Sequence, residues 1–249
     1  MTFFNHCNTG SEKAQSISPC FCYTMEDKCD IIPPEIFADK RKNMKNPLHY
    51  QISECDCGPT SMLNAVSYLF EREEIPPEII RNIMLYCLDC YSAEGIPCKS
   101  GTSRMAMMFL SNWLNEFGKV GRLSVGSSYL SGDQVYVGSG SRINDILRRG
   151  GAVVVRLFLD EWHYVTFTGA EDGKILVFDP YYEDELYEEE EIELILDQPM
   201  KYNRIIPEHY FNREELELYA LGPKEGREAV LLTNKETVLT EEKTIEYFI

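Results

Sequence analysis

Apolar residues recur along the chain with two different periods, and the change from one to the other is the main signal of its fold. In Pro59–Phe70 the apolar positions are Met62, Ala65, Val66, Leu69 and Phe70, the spacing of a buried helical face. Pro59 falls in the first turn, where a missing N–H costs nothing. Pro76-Pro77 opens a second helix running to about Leu88, with Ile79, Ile80, Ile83, Met84 and Cys87 expected inward. A third helix is predicted from Thr102 to Phe117, ended by Gly118 as a left-handed stop. Ser141 to Arg149 forms a short fourth, closed by Gly150.

Beyond Gly150 the pattern changes. Ala152–Leu159 and His163–Thr168 are rich in β-branched and aromatic residues and read as strands. Asp172-Gly173 is a hairpin signal, and Lys174–Phe178 is the returning strand. Glu228–Thr233 predicts another strand and Thr240–Tyr247 a final helix. Helices followed by an antiparallel sheet make an α+β fold, and no internal repeat is visible. Residues 1–43 differ: they hold Cys7, Cys20, Cys22 and Cys29, are rich in Ser, Asn and Lys, and lack an apolar period. They read as an extension or loose cap, with Met44 as a possible start of the folded domain over residues 44–249.

Composition narrows the function. With 24 basic and 41 acidic side chains the formal charge is −17, which repels phosphate backbones and argues against nucleic acid as a partner. No stretch reaches the roughly 18 uninterrupted apolar residues of a membrane span. The first residues show no basic segment leading into an apolar one, so no secretory signal is expected and the cytoplasm is the predicted compartment. Nine cysteines in such a chain read as reduced thiols, and an odd number cannot all pair internally. The sharper question is whether one of them is a nucleophile.

Cys57 stands just before the first turn of the best-patterned helix, in Cys55-Asp56-Cys57-Gly58-Pro59-Thr60. Thiolates are the reactive form of cysteine, and the macrodipole and free N–H groups of a helix start favour negative charge. Gly58 allows a substrate to approach the backbone closely, and Gln51, six residues before Cys57, offers an amide N–H to a tetrahedral oxyanion. A base has to come from His6, His49, His163 or His209. His163 begins a strand, and Asp179 ends the next one. If residues 163–178 form a hairpin, its open ends are neighbours, and Asp179 can orient the imidazole.

Gln51, Cys57-Gly58 opening a helix, Trp162-His163-Tyr164-Val165 on a strand and Asp179-Pro180 after it together resemble family 39 of the cysteine peptidases. That papain-like family includes the leader-cleaving domains of bacteriocin exporters, which act on double-glycine leader peptides, and stand-alone bacterial proteins. The resemblance covers roughly residues 47–182. It implies a papain-like α+β fold, with the catalytic cysteine at a helix N-terminus packed on an antiparallel sheet. It also implies a Cys57–His163–Asp179 triad, Gln51 as oxyanion donor, and a thiol peptidase needing no cofactor. The exporter forms carry membrane spans and an ATPase, which this chain lacks. Residues 183–249 lie outside the resemblance and are free to shape a different pocket.

Plainer readings stand beside these. Cysteine is commonly buried, Cys55 is a rival nucleophile, His163 can be a core histidine, and Asp179 can cap a turn. Trp162 reads as a pocket wall or as packing, and His49 as a surface residue. Cys20, Cys22 and Cys29 with His6 and Cys7 depart from zinc-site spacing, and Cys87, Cys90 and Cys98 lack a fourth ligand, so no metal is expected. The run Glu183–Glu193, with eight carboxylates in eleven positions, reads as a solvated loop. Arg104 and Arg156 read as ion-pair partners. The leading expectation is a cysteine peptidase or amide hydrolase taking a peptide or small amide. Acyl transfer on the same triad, a catalytically silent peptide-binding module, and a small metal-stabilised interaction protein are the alternatives.

Overall fold

The structure is a computed structural model that describes residues 45–239, apart from 122, 186 and 188, together with residues 245–247. The expectations for residues 1–43 lie outside the described residues.

Among the described residues three helices come first: α1 (Cys57–Leu69), α2 (Pro77–Cys87) and α3 (Arg104–Phe117). Strand β1 (Val125–Ser131) and helix α4 (Arg142–Arg148) follow. The remaining strands are β2 (Ala152–Leu159), β3 (Glu161–Glu171), β4 (Lys174–Phe178), β5 (Glu193–Leu194), β6 (Arg204–Pro207), β7 (Glu228–Asn234), β8 (Thr237–Leu239) and β9 (Ile245–Tyr247). A seven-stranded sheet runs in the order β1-β7-β2-β3-β4-β6-β5, with every neighbouring pair antiparallel. The α+β expectation is met.

Both faces of the central strands are covered, which is why β2 reads as an almost unbroken apolar run. Alternate residues serve opposite cores. Val154 and Tyr164 pack with Met62, Val66, Ile83 and Leu110 from the three leading helices. Val153, Val155, Val165 and Phe167 pack with Ile143, Leu147 and Phe211 on the other side. Each such buried aliphatic side chain stabilises the fold by about 1.5–3 kcal/mol.

Hydrogen bonds then lock α1 onto β3. The Ser61 hydroxyl donates to Tyr164 O at 2.8 Å, Thr166 donates back to Ser61 O at 2.9 Å, and Tyr68 donates to Thr168 O at 2.8 Å. These bonds fix the register of the helix that begins at Cys57 against the strand that carries His163. The β3–β4 hairpin turns through Asp172 and Gly173, both with positive φ (49° and 75°), matching the twist of the flanking strands.

Several expectations are corrected. On α2, Ile79, Ile83 and Cys87 are buried but Ile80 and Met84 are exposed, because only the narrow stripe repeating every four residues meets α1 and α3. Gly118 is right-handed (φ −65°), and the chain turns on to Gly121, whose φ is 76°. Gly118 is needed for closeness instead: a Cβ there would sit 1.9 Å from Val125 O. At the C-terminal end Ile245–Tyr247 is a strand paired with Thr237–Leu239, not part of a helix; residues 240–244 lie outside the described residues. Strand β1, rich in Gly and Ser, lacks a strong strand pattern and is defined by its pairing with all of β7.

Candidate active site

Residues 48–56 wrap the start of α1 and are tied down by side-chain and backbone hydrogen bonds. Asn64 on α1 accepts from His49 N at 2.7 Å and donates to His49 O at 2.9 Å, while the His49 ring itself is exposed. Gln51 N donates to Pro180 O at 2.8 Å, joining this segment to the residues after β4. Asp56, the residue before the helix, turns its carboxylate back to accept from Ile52 N (3.1 Å), Ser53 N (2.8 Å) and the Ser53 hydroxyl (3.1 Å). Asp56 had no assigned role in the sequence reading; its signal is the common capping position ahead of a helix.

Cys57 is the first residue of α1 and is 7% exposed. His163 on β3 is 6% exposed, and Asp179, one residue beyond β4, is fully buried. His163 Nε2 lies 2.8 Å from Asp179 Oδ1. Burial opposes charge on the imidazole, but Asp179, by charge and hydrogen bond, and then the Cys57 side chain outweigh it, so the His163 pKa is pushed up to about 10. With Nε2 held by Asp179, Nδ1 is the ring nitrogen left for the sulfur. Asp179 is held below the usual carboxylate range: burial works against this, and His163, Tyr181 N–H and Arg204 prevail. Cys55 Sγ is turned away, donating to Lys99 O at 3.2 Å.

Gln51 and His163 line one cavity of about 600 Å³. Its other walls include Leu159, Tyr181, Tyr187 and Leu218, and four carboxylates, Glu54, Asp160, Glu161 and Glu183. Gln51 Nε2 donates to Ser53 O at 2.9 Å, while its Oε1 is buried without a partner. The amide nitrogen therefore has one N–H engaged and a second to offer.

Gly58 and Trp162, the two expected substrate contacts, also have packing neighbours within the fold. Gly58 faces Thr102, whose Oγ1 would lie 2.1 Å from a Cβ added there, so its missing side chain makes room for the loop before α3. Trp162 alternates away from His163, meets Phe158 edge-on at 6.0 Å, and lies under the Arg156 guanidinium at 4.4 Å. It forms the lid of a polar cluster: buried Glu228 accepts from Tyr164 (2.7 Å) and Tyr129 (2.8 Å) and pairs with Arg156 at 3.5 Å. Arg104 donates to Glu225 O at 3.0 Å. The Arg156 ion pair was expected, but Glu228 was not foreseen, since it sits at the head of an otherwise apolar strand.

Cys87 is buried in the helical core, Cys90 Sγ lies 3.7 Å from Asp89 Oδ1, and Cys98 Sγ donates to Leu88 O at 3.3 Å. Among the described residues no group of His, Cys, Asp or Glu side chains has the geometry to hold a metal ion. Among them, too, no helix is long and apolar enough to cross a membrane.

No protein-family model matches the chain, and no curated protein matches it. Among solved structures it is similar to the peptidase domain of Streptococcus mutans ComA, with 14% identity over 76% of this chain and 99% of that one, at a TM-score of 0.35. A second is the peptidase domain of Streptococcus ComA, described as a bi-functional ABC transporter involved in quorum sensing. It shows 15% identity over 75% and 97% of the two chains, at a TM-score of 0.39. The third is a double-glycine-motif protease from an AMS/PCAT transporter, solved with its leader peptide, at 11% identity, 77% and 93% coverage and a TM-score of 0.36.

Proposed function

We propose that the chain is a cysteine peptidase that cleaves a peptide or related amide through an acyl-enzyme. The observation that carries this reading is the buried His163–Asp179 pair, with the imidazole acted on by the Cys57 side chain at the start of α1. Cys57 as thiolate attacks the carbonyl carbon, and a C–S bond forms while the carbonyl oxygen becomes an oxyanion. The second N–H of Gln51 and the Cys57 backbone N–H are the donors for that charge. The imidazolium of His163 gives its proton to the leaving nitrogen, the C–N bond breaks, and the amine departs. Water, losing a proton to His163, then attacks the thioester; the C–S bond breaks, the Cys57 thiolate returns, and the carboxylic acid departs, losing its proton to solvent. Asp179 keeps the imidazole in the orientation each transfer needs.

The carboxylates lining the cavity support a substrate with cationic side chains near the scissile bond. The test is labelling of purified protein with a peptidyl electrophile, followed by location of the adduct and a peptide-library screen. Labelling at Cys57, lost in Cys57→Ala, together with cleavage of library peptides by wild type alone, is expected. Adducts spread over the other cysteines, with none favoured at Cys57, would overturn the reading. Binding of peptides without cleavage would point to a silent module instead.

A further inference from the structure

On the side of Asp179 away from His163, a chain of polar groups, buried except for the half-buried Tyr187, reaches into the part of the sequence that resembles no family. Tyr219 donates to Asp179 Oδ2 at 3.0 Å, and its hydroxyl lies 2.8 Å from that of Tyr187. Arg204 Nε donates to the Tyr187 hydroxyl at 2.8 Å. Arg204 is fully buried, the largest side chain in that class, and its remaining donors reach the carbonyls of Asn203 (3.0 Å) and Tyr181 (3.5 Å). Asn203 in turn accepts from Asp179 N and donates to Asp179 O, both at 2.7 Å.

A buried guanidinium is costly unless a compensating negative charge is at hand. Here two phenols stand between Arg204 and the buried Asp179. Backbone strain is spent on the same arrangement. Tyr219 has a φ of 59°, a region where a bulky side chain is an outlier. It is held there by Tyr219 N donating to Phe158 O at 2.8 Å and Phe158 N donating to Ala220 O at 2.9 Å. Glycine would meet the backbone demand, so the aromatic side chain is kept for what its hydroxyl reaches.

We infer that Arg204, acting through the Tyr187 and Tyr219 hydroxyls, is a positioning group that keeps the Asp179 carboxylate ionised and turned toward His163. The inference rests on the Cys57–His163–Asp179 reading of the site. Burial, and after it Asp179, pushes the Tyr219 phenol well above its ordinary pKa, so it keeps its proton and donates. The hydrogen bonds run in series from Arg204 through Tyr187 and Tyr219 to Asp179, beside the direct attraction of the two charges. Tyr187 also lines the cavity, which places the relay within reach of a bound substrate.

The test uses the full chain and iodoacetamide, with the rate of alkylation at Cys57 resolved from the other cysteines by peptide mapping. Tyr219→Phe should slow that rate by about tenfold to a hundredfold, the scale of one hydrogen bond to a charged group. Tyr187→Phe should slow it less, and the double variant should match Tyr219→Phe alone, because a broken series cannot be broken twice. The downfield Nε2–H resonance of His163 should move in both single variants. A rate unchanged in Tyr219→Phe, or two effects that simply multiply, overturns the relay while leaving the triad standing. Wild-type Cys57 reacting no faster than Cys98 overturns the triad and the relay with it. If Tyr219→Phe fails to fold, Tyr187→Phe carries the test, and an unchanged rate and resonance there overturn the relay.

Discussion

His163 Nε2 and Asp179 Oδ1 lie 2.8 Å apart although 16 positions separate them in the chain. The β3–β4 hairpin makes the meeting: it folds back at Asp172-Gly173, shifts register between Phe167 and Gly169, and ends its pairing at Thr166–Phe178, so that Asp179 follows on the face His163 shares. The pair is buried, with Asp179 wholly covered and only the cavity edge of His163 open, so its charges interact through a medium that screens them poorly.

That burial predicts a pH dependence. His163 has its pKa raised from 6.5 to about 10, so the stability its proton supplies is complete below pH 6.5 and is lost as pH climbs through about 10. Urea unfolding of wild type and His163→Gln should show a stability gap that is widest at pH 6 and narrows toward pH 10, about the window set by that shift. A gap that stays constant across the range contradicts the paired imidazolium.

Asp179→Asn keeps the shape and removes the charge that faces both His163 and Arg204. Breaking a buried pair by removing one partner typically costs about 3–5 kcal/mol, and a loss of that size in unfolding free energy, measured by urea denaturation, is expected. Alkylation at Cys57 should also slow by about tenfold or more, since an amide holds the imidazolium poorly. Wild-type stability in this variant would mean that the carboxylate is not ionised in the fold.

Gly58→Ala tests packing at the helix start. The new Cβ would lie 2.1 Å from Thr102 Oγ1 and 2.8 Å from Thr102 Cβ, so a loss of about 1–3 kcal/mol is expected despite the better helix propensity of alanine. Adding Thr102→Gly should restore much of it, as measured by thermal unfolding. Failure of the second change to help would show that the clash lies elsewhere.

The lining carboxylates Glu54, Asp160, Glu161 and Glu183 predict selectivity among small thiol reagents. A cationic methanethiosulfonate should modify Cys57 about tenfold faster than an anionic one at low salt, and the difference should shrink as salt is added. Equal rates at low salt would show that the cavity's charge does not reach the sulfur.

Much of this was readable in the sequence because it rests on local rules. Helix α1 follows from the spacing of Met62, Ala65, Val66 and Leu69, and the hairpin from Asp172-Gly173 between two β-branched runs. The hairpin brought His163 and Asp179 close along the chain, but the register shift between Phe167 and Gly169, which no turn signal marks, was needed to put them on one face. Where local rules met crowding they failed. Ile80 and Met84 share the α2 pattern but not its buried stripe, and Gly118 yields to a carbonyl of β1 rather than to the need for a left-handed stop.

The sequence alone determined the α+β order of elements and the hairpin that carries His163 and Asp179, because helix period, turn chemistry and strand alternation act between near neighbours. Only the tertiary structure decided what stands behind that pair: Tyr219, 40 positions from Asp179, arrives through long-range packing, as Glu228, 64 from Tyr164, does in the separate cluster under Trp162. A buried charge must find its partners in space, and no pattern along the chain records which distant strand will bring them.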